Sequence, residues 1–317
     1  MFLSLMRLER LAACLCVVVV LAGCRSQPAE VVAPEPLPVP ESASIRTEAY
    51  FAETADGPIR GYLAWVDLTD PALEVITTSP LPEGHGGNPA AEASNQPTNE
   101  WAQETGAVLA INANFYAFMK EGGTDILGLS VNDGVVVSPP REVEGYPADP
   151  AVAVLRDGTI YIGPVDAAMV PEIEDGVAGV GGHAEVGETD GLLVTGYANT
   201  GATARVAPAR RHPRTAVGTD ASGRTLIIAV IDGRRAGWSI GVTLPELAEI
   251  MIDAGAMTAI NLDGGGSSSF YFDRGAWLGT DEPPVTNMPS DAKGWRSVAN
   301  HLGIRVVTEQ DNGDARD

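Results

Sequence analysis

The chain has 317 residues, and 20 Lys and Arg against 42 Asp and Glu give it a formal net charge of −22. A nucleic acid backbone would repel such a chain, and no basic patch with aromatic residues offsets the repulsion, so a nucleic acid partner is excluded. All three cysteines, Cys14, Cys16 and Cys24, lie near the N-terminus. The rest of the chain therefore has neither disulfides nor thiolate metal ligands, and its stability must come from its core.

The N-terminal segment is typical of an exported lipoprotein. Arg7 and Arg10 precede an apolar run, 11–22, which is too short for a comfortable transmembrane helix and has the form of a signal peptide. Leu-Ala-Gly stands directly before Cys24 and resembles a bacterial lipobox. We therefore expect cleavage before Cys24 and lipidation of its thiol. The alternative is an ordinary cleaved signal peptide with an incidental cysteine.

Composition divides the chain into four parts. Residues 1–23 are the predicted signal peptide, and residues 24–44 are too rich in Pro, Ala, Val and Glu to build a core, so we expect a disordered tether. Residues 45–308 are long enough for one sizeable domain. An acidic tail, 309–317, is expected to be disordered. The predicted location is the bacterial cell envelope, where the lipid anchor holds the protein to the membrane.

Strands and hairpins dominate the predicted domain. The runs 127–137 and 151–162 each predict two strands around an Asp-Gly turn. Residues 225–231 form a continuous apolar run rich in β-branched side chains, typical of a central strand covered on both faces.

The clearest helix is predicted over 244–254. Thr243 and Glu246 have the spacing of a capping box, and Gly255 would end the helix. A shorter helix is predicted over 101–105. The fold class is therefore α+β, a β-rich mixed sheet with hairpins that is covered by a few helices.

A glycine-rich run follows the apolar residues 259–262. It begins with Asp263, continues with Gly264–Gly266, and ends with the hydroxyls of Ser267 and Ser268. Glycines let a ligand approach main-chain N–H groups, which suits an anion or a sugar. The alternative is a polar glycine turn in a tight hairpin. A serine-hydrolase elbow is less consistent with the run, because it lacks the Gly-x-Ser-x-Gly pattern.

Cationic and acidic side chains follow tight corners elsewhere in the chain. Arg214 follows Pro213, Arg234 follows Asp232-Gly233, and Arg296 precedes the last predicted strand. A guanidinium can donate hydrogen bonds to two phosphate oxygens at once. Each Arg is also consistent with a surface ion pair.

Two carboxylates are candidates for the chemistry. Asp232 and Asp263 both end apolar strands, where burial and neighbouring arginines separate pKa values. Either residue suits the role of nucleophile, base or acid, and Asp at a strand end also caps turns.

Amide and aromatic side chains complete the predicted site. Asn112 and Asn114 share one face of a strand, where their amides would bind sugar hydroxyls, and Phe115 or Tyr116 would stack on the ring. Among the histidines, only His212 has a neighbourhood that suggests a site. The histidines show no metal-binding pair, and no loop has calcium-ligand spacing, so we predict no obligatory metal and no cofactor.

Four blocks of the sequence, 108–116, 211–218, 230–248 and 261–268, resemble the phosphodiester glycosidase family. The last block, Asn-Leu-Asp-Gly-Gly-Gly-Ser-Ser, is the most specific. The sequence departs from the family pattern where Ala and Asn at positions 113 and 114 stand in place of two glycines. The predicted substrate-binding residues are Asn112, Asn114, Phe115, His212, Arg214, Thr215, Gly233, Arg234, Asn261, Gly264, Gly265, Gly266, Ser267, Ser268 and Arg296.

This resemblance implies a hydrolase that cleaves glycosyl-1-phosphodiester linkages in surface or exogenous glycans, with a phosphorylated glycan as substrate. The alternative is a non-catalytic lipoprotein that binds carbohydrate or assists exopolysaccharide assembly. In either case we expect Asp232, Asp263, the glycine turn and Asn112 to converge in one cleft, because strands that end in polar residues expose them at a shared edge of a sheet.

Overall fold

The computed structural model describes residues 44–82, 88, 90–142, 144, 146–179 and 190–307. The strands within these residues are β1 (Ile45–Thr54), β2 (Gly57–Asp67), β3 (Leu73–Thr77), β4 (Ala107–Asn112), β5 (Tyr116–Phe118), β6 (Thr124–Ile126), β7 (Ser130–Asn132), β8 (Val135–Ser138), β9 (Pro150–Leu155), β10 (Ile160–Pro164), β11 (Ile173–Ala178), β12 (Val194–Thr195), β13 (Ala198–Asn199), β14 (Arg214–Thr219), β15 (Thr225–Ile231), β16 (Thr258–Asn261), β17 (Phe270–Phe272), β18 (Val285–Thr286) and β19 (His301–Val306). The α-helices are α1 (Thr98–Thr105), α2 (Leu244–Asp253) and α3 (Arg274–Leu278), and short 3₁₀ turns cover Val170–Glu172 and Gly265–Ser267.

The largest sheet has seven strands in the order β1-β2-β15-β14-β16-β12-β13. Its central strand β15 is buried from Leu226 to Ile231, as its continuous apolar sequence predicts. Helix α2 packs on this sheet through Leu244, Leu247 and Met251, whose side chains are completely buried. One face of the sheet is thereby closed to solvent along the strands that lead to the site.

The N-terminus of α2 confirms the predicted capping box. The Thr243 hydroxyl accepts a hydrogen bond from the Glu246 backbone N–H at 3.3 Å, and the Glu246 carboxylate accepts one from the Thr243 backbone N–H at 2.8 Å. Two backbone N–H groups at the helix start are therefore satisfied. The helix ends at Asp253, and Gly255 follows with a φ of 97°, which favours glycine.

Two smaller sheets complete the core. One has the order β10-β9-β11-β7-β8, and it contains both predicted hairpins, with Gly158 and Gly134 at positive φ in their turns. The other has the order β18-β17-β4-β19-β3, and strands β5 and β6 form a separate hairpin. Helix α1 begins at Thr98, three residues before the predicted start, because its first turn is polar and carries no apolar signal.

The predicted α+β class, rich in strands and poor in helices, is confirmed. The described strands form several sheets, and their pairings are antiparallel. The long hairpin of β1 and β2 was not predicted, although Asp56-Gly57 at its turn is a typical hairpin signal.

Strand directions bring one edge of the seven-stranded sheet together. Strands β15 and β16 are both antiparallel to β14, which lies between them, so the ends of β15 and β16 and the start of β14 share an edge. Asp232, Arg214 and Asp263 stand at these three positions. The backbone segments at Asp232 and Asp263 are separated by two strand spacings, about 10 Å.

The predicted signal peptide, 1–23, and the predicted tail, 309–317, lie outside the described residues, as does Cys24 with all of the tether except residue 44. Among the helices that the structure describes, none has the length and apolar character needed to cross a membrane.

Candidate functional site

Two glycines allow three chain segments to meet at Pro213. A Cβ atom on Gly233 would lie 2.7 Å from the backbone nitrogen of Pro213, and a Cβ on Gly264 would lie 2.9 Å from its carbonyl oxygen. Neither position tolerates a side chain without movement of the backbone. The Asp-Gly sequences after β15 and β16 therefore serve close packing on both sides of the residue that precedes Arg214.

A pocket of about 240 Å³ opens at this edge. It is lined by Phe115, Val206, Ala207, His212, Arg214, Arg234, Asp263, Gly264, Gly265, Gly266 and Arg296. The pocket thus brings together three arginines, one carboxylate and the glycine turn. Arg214 and Arg296 are more than 80 residues apart in the sequence.

The glycine turn gives the guanidinium groups room to lie against the backbone. A Cβ on Gly265 would be 3.0 Å from both Nη atoms of Arg234, and a Cβ on Gly266 would be 2.1 Å from Nη2 of Arg296. Gly265 also has a φ of 65°, which favours glycine. The backbone N–H groups of Gly264 and Gly265 donate to Asp263 Oδ1 at 2.7 Å and to the Pro213 carbonyl at 2.9 Å. Contrary to the sequence prediction, these two N–H groups are not open to a ligand.

Arg214 is buried in the pocket wall and is held by backbone carbonyls. Its Nη atoms donate to Val206 at 3.1 Å, to Ala207 at 3.0 Å and to Arg210 at 3.0 Å. Burial, with a smaller contribution from Arg234, lowers the pKa of Arg214 to about 10, so the side chain stays charged at neutral pH. The carbonyls orient the guanidinium and leave its charge unneutralised.

Arg234 and His212 form the next part of the wall. Arg234 donates to Nδ1 of His212 at 3.2 Å and holds a φ of 58°, which is uncommon for a residue other than glycine. Burial, followed by the charges of Arg234 and Arg214, lowers the pKa of His212 below its usual value. His212 is therefore neutral at pH 7 and accepts the hydrogen bond from Arg234.

Arg296 lies at the mouth of the pocket and is half-exposed. It pairs with Asp291 at 3.5 Å, and both side chains of this pair reach solvent. Such an exposed pair contributes little to stability and leaves the guanidinium available to a ligand.

Asp263 is the carboxylate of the pocket. Its backbone N–H donates to the Ala113 carbonyl at 3.0 Å, and its own carbonyl accepts from Nδ2 of Asn112 at 2.7 Å, so the residue is fixed between two sheets. Burial raises the pKa of Asp263 to about 6, against the opposing effects of Ser267, the Gly264 N–H and two arginines. The carboxyl group therefore titrates close to neutral pH.

Asn112 has a different position from the one that its sequence suggests. It is completely buried, and its Oδ1 accepts hydrogen bonds from Thr215 Oγ1 at 2.7 Å and from the Ser269 backbone N–H at 3.1 Å. Its Nδ2 donates to the Asp263 carbonyl, and the buried amide does not line the pocket, so it is not placed to bind a sugar hydroxyl. Asn112 and Thr215 instead position the backbone that carries Asp263.

Asn114 is likewise buried behind the pocket. Its Nδ2 donates to the carbonyls of Leu127 and Leu129 at 3.2 and 3.0 Å, and its Oδ1 accepts from Asn300 at 2.9 Å. The prediction that Asn114 binds sugar hydroxyls is wrong, because its amide is buried and is bonded within the protein.

Asp232 does not line the pocket. Its carboxylate accepts hydrogen bonds from Trp238 Nε1 at 2.8 Å, from Asn287 Nδ2 at 3.0 Å and from the Met288 backbone N–H at 3.3 Å. Burial raises the pKa of Asp232, and these hydrogen bonds oppose the rise. The expected convergence of two carboxylates is therefore corrected: Asp232 lies at the same sheet edge, but its side chain is enclosed by structural partners.

Three further predicted residues lie beside the pocket without lining it. All three, Ser267, Ser268 and Asn261, are buried. The Oγ atoms of the two serines and Oδ1 of Asn261 have no hydrogen-bond partner among the described residues. Ser267 nevertheless lies close enough to Asp263 to lower the pKa of its carboxyl group. These buried acceptors and donors can bind water, or can gain a partner through a small movement on ligand binding.

Sequence reasoning missed Val206 and Ala207 as lining residues. Both have positive φ, 75° and 50°, and their carbonyls hold Arg214. Small apolar residues in a loop give no signal for such a role. Tyr116 is also close to the site, since Asp263 and Arg296 both affect its pKa, which burial raises.

Within the part of the chain that the structure describes, no group of three or more His, Cys, Asp or Glu side chains is arranged to hold a metal ion.

A model of the phosphodiester glycosidase family matches residues 105–305, more than half of the chain. The chain belongs to the phosphodiester glycosidase family. Every residue that lines the pocket falls within the matched region. The family assignment made from the four sequence blocks is therefore confirmed.

Individual proteins are similar to more than half of this chain. The bovine N-acetylglucosamine-1-phosphodiester alpha-N-acetylglucosaminidase is 29% identical over 237 residues, which are 72% of this chain and 41% of that protein. A prophage-derived uncharacterized protein of Bacillus subtilis, YomE, is 30% identical over 170 residues, 53% of this chain and 24% of YomE. The chain thus spans less than half the length of these relatives.

A solved structure shows the same fold. The catalytic domain of the zebrafish N-acetylglucosamine-1-phosphodiester alpha-N-acetylglucosaminidase, auto-inhibited by its pro-peptide, superposes with a TM-score of 0.59 at 20% identity. The match covers 84% of this chain and 85% of the zebrafish domain.

Proposed function

We propose that the protein hydrolyses glycosyl-1-phosphodiesters in surface or exogenous glycans. The observation that carries the proposal is the pocket in which Arg214, Arg234 and Arg296 surround one carboxylate, Asp263. In a chain of net charge −22, this concentration of positive charge is a local feature that suits a small anion. Membership of the phosphodiester glycosidase family and the bovine relative's name support a sugar phosphodiester as that anion.

The arginines are assigned to the phosphate group. A phosphodiester carries one negative charge, and a guanidinium donates two parallel N–H groups to its oxygens. Arg214 is pre-oriented by three carbonyls, and Arg234 by His212, so little side-chain freedom is lost on binding.

Asp263 is assigned to the anomeric carbon. The bond from that carbon to the phosphate oxygen breaks, the electron pair leaves with the phosphate monoester, and water adds to the carbon. The ionised Asp263 carboxylate stabilises the positive charge that develops on the sugar and accepts a proton from the water. The phosphate is a good leaving group once the arginines neutralise it, so this scheme requires one carboxylate, and Asp232 has a structural role.

The proposed location is the cell envelope. The predicted signal peptide and lipidated Cys24 would place the domain outside the cytoplasm, at the end of a Pro-rich tether. Phosphorylated glycans are accessible to the pocket from that position.

A substrate screen tests the proposal. The purified mature chain is incubated with a panel of sugar-1-phosphate diesters, and free sugar is measured. Asp263→Asn keeps an Oδ1 acceptor for the Gly264 N–H while removing the charge, so we expect sugar release to be lost with the unfolding temperature retained. Asp281→Asn, at an exposed position, is the matched control and should retain full activity.

Two results would contradict the enzyme proposal. Full activity of Asp263→Asn would remove the carboxylate from the mechanism. Binding of the diesters without release of sugar by the parent protein would instead support the carbohydrate-binding alternative.

A further inference from the structure

A cleft of about 860 Å³ lies apart from the pocket and shares no lining residue with it. All five residues of β3, Leu73–Thr77, line one wall of the cleft. The other wall carries the start of β11, the turn between β7 and β8, and the turn between β9 and β10. The cleft therefore follows the whole length of one strand.

Strand β3 presents an edge to this cleft. It is the last strand of its sheet, and among the described strands it pairs only with β19. The Ala72 carbonyl accepts a hydrogen bond from the Val307 N–H, at the end of β19, at 2.8 Å. Because the backbone groups of successive residues alternate in direction, those of Leu73, Val75 and Thr77 point away from β19.

The middle of this edge is open. The Thr77 carbonyl accepts from Nδ2 of Asn132 at 3.1 Å, which closes the edge at that end. The N–H and C=O of Val75 have no partner among the described residues. An edge strand with free N–H and C=O groups pairs with an extended segment of another chain.

One buried carboxyl group lines the cleft with an unpaired oxygen. Asp175 is only 6% exposed. Its Oδ1 lies 3.4 Å from the Asp133 N–H and 3.3 Å from the Thr77 hydroxyl. That hydroxyl has one hydrogen, and it is donated to the Val131 carbonyl at the shorter distance of 2.7 Å. Oδ2 of Asp175 has no hydrogen-bond partner in the described part of the chain.

The state of this carboxyl group favours a cationic ligand. Burial raises the pKa of Asp175 to about 7, and the charges of Glu174 and Asp133 add to the rise. A positive charge bound at Oδ2 would stabilise the ionised form and offset the cost of burial.

The cleft supplies no such charge itself. Five carboxyl groups and two guanidinium groups line it. Of the two guanidinium groups, Arg305 pairs with Glu74, and Arg156 pairs with Glu174 at 3.0 Å. A ligand that carries a positive charge is therefore complementary to this surface.

The edge and the carboxyl group are placed to act together. The side chains of Leu73, Val75 and Thr77 share one face of β3, and Thr77 contacts Asp175 from that face. In an added strand, the residue opposite Val75 points its side chain to the same face. A long basic side chain at this position would extend toward Asp175.

We propose that the cleft binds an extended peptide segment of a partner protein, which pairs with β3 opposite Val75 and places one Lys or Arg side chain against Asp175. The segments of this chain outside the described residues are poor occupants, because 24–43 and 308–317 each contain more acidic than basic residues. The inference does not depend on the proposed hydrolase activity.

A short peptide tests the inference. The probe is acetyl-Thr-Lys-Thr-Val-amide with a neutral fluorophore, and its binding to the full chain is measured by fluorescence anisotropy. Replacing its Lys by norleucine should weaken binding at least about tenfold, because the charge is lost while the length is kept. Asp175→Asn should weaken binding of the Lys peptide to a similar extent and leave binding of the norleucine peptide unchanged.

The matched protein control is Glu121→Gln, an exposed carboxylate on the β5–β6 hairpin outside the cleft, which should bind as the parent does. Two N-methylated peptides test strand pairing. A methyl group on the Lys amide, which would pair with the Val75 carbonyl, should abolish binding. A methyl group on the following Thr amide, which points away from β3, should be tolerated.

Several outcomes would overturn the inference. One is the absence of saturable binding up to about 5 mM peptide. Another is equal loss with either N-methylated peptide, or equal binding of n-butylamine and the peptide, which would indicate a site for a small amine. Binding that appears only after removal of residues 308–317 would make the chain's own tail the occupant. Sugar release is a separate measurement, and its failure would leave this inference standing.

Discussion

Burial decides the protonation state of Asp263. Arg234 and Arg296 both favour the ionised form, as do the hydrogen bond from the Gly264 N–H and the nearby Ser267 hydroxyl, yet the pKa is raised to about 6. Removal of the carboxylate from water therefore outweighs all of these contacts. A carboxylate of this kind is a stronger proton acceptor than one in water, and it remains mostly ionised at pH 7.

The pH profile tests this assignment. A carboxylate whose pKa is raised to about 6 is available above that pH and is lost as pH falls through it. We therefore expect kcat/KM to rise between about pH 5 and pH 7 and then to level off. Circular dichroism at each pH controls for unfolding. Activity that is highest below pH 5 would show that Asp263 acts in its protonated form.

Arg234→Lys tests phosphate recognition. Lysine keeps the charge but cannot donate two parallel N–H groups to the phosphate. We therefore expect kcat/KM to fall about 30-fold, which corresponds to about 2 kcal/mol, with little change in unfolding temperature. Arg46→Lys is the control, because Arg46 is half-exposed, contacts Glu48 and the Trp65 ring, and does not line the pocket. Full activity of both Arg234→Lys and Arg214→Lys would place phosphate recognition elsewhere.

At the scale of elements, the site is made by the ends of strands and one turn. Asp-Gly follows the end of β15 directly and the end of β16 after one residue, and Pro213 precedes Arg214 at the start of β14, which lies between them. The glycines let the segments pack, and the arginines then lie over the turn. The geometry of the pocket is therefore sensitive to a single added methyl group.

Gly266→Ala tests this sensitivity. The new Cβ would lie 2.1 Å from Nη2 of Arg296, whose flexible, exposed side chain moves away while the backbone stays in place. We expect a loss of activity similar to that of Arg296→Ala, about tenfold, without loss of folding. In the Arg296→Ala background, Gly266→Ala should have no further effect. Additive losses would mean that the glycine serves another purpose.

Local signals explain which elements and residues were predictable. The strand 225–231 and the capped helix α2 follow from apolar periodicity and capping, which depend on neighbours in sequence. Arg214, Arg234 and Asp263 were predicted because they adjoin glycine or proline corners, and Arg296 was predicted because it precedes the last predicted strand. Whether a polar strand end faces the pocket or the interior depends on distant partners, such as Thr215 for Asn112 and Asn287 for Asp232, and no local pattern shows these contacts.

At the scale of the whole molecule, charge is distributed unevenly. The chain has a net charge of −22, yet the lining of its pocket is cationic. Long-range attraction therefore does not steer an anionic glycan to the protein, and recognition depends on short-range contacts inside the pocket. Attachment to the envelope would compensate by keeping the enzyme close to its substrate.

Cys24→Ala tests that attachment. The variant lacks the thiol that a lipid would modify, so we expect it to be released from membranes into the soluble fraction. Its activity per molecule should equal that of the parent, because Cys24 lies outside the domain. A variant that fractionates with membranes as the parent does would contradict the lipoprotein assignment.

The carbonyls that hold Arg214 have a consequence for motion. They belong to one loop, 206–210, and all three accept hydrogen bonds from the same buried cation. The Leu244 backbone N–H also donates to the Pro208 carbonyl at 2.9 Å. We expect this loop to open locally, which would expose one wall of the site without disturbing the strands. Bound phosphate would add a second partner to the same cation and slow the opening. Amide hydrogen exchange in this loop would thus report occupancy of the site even in a variant that cannot turn over.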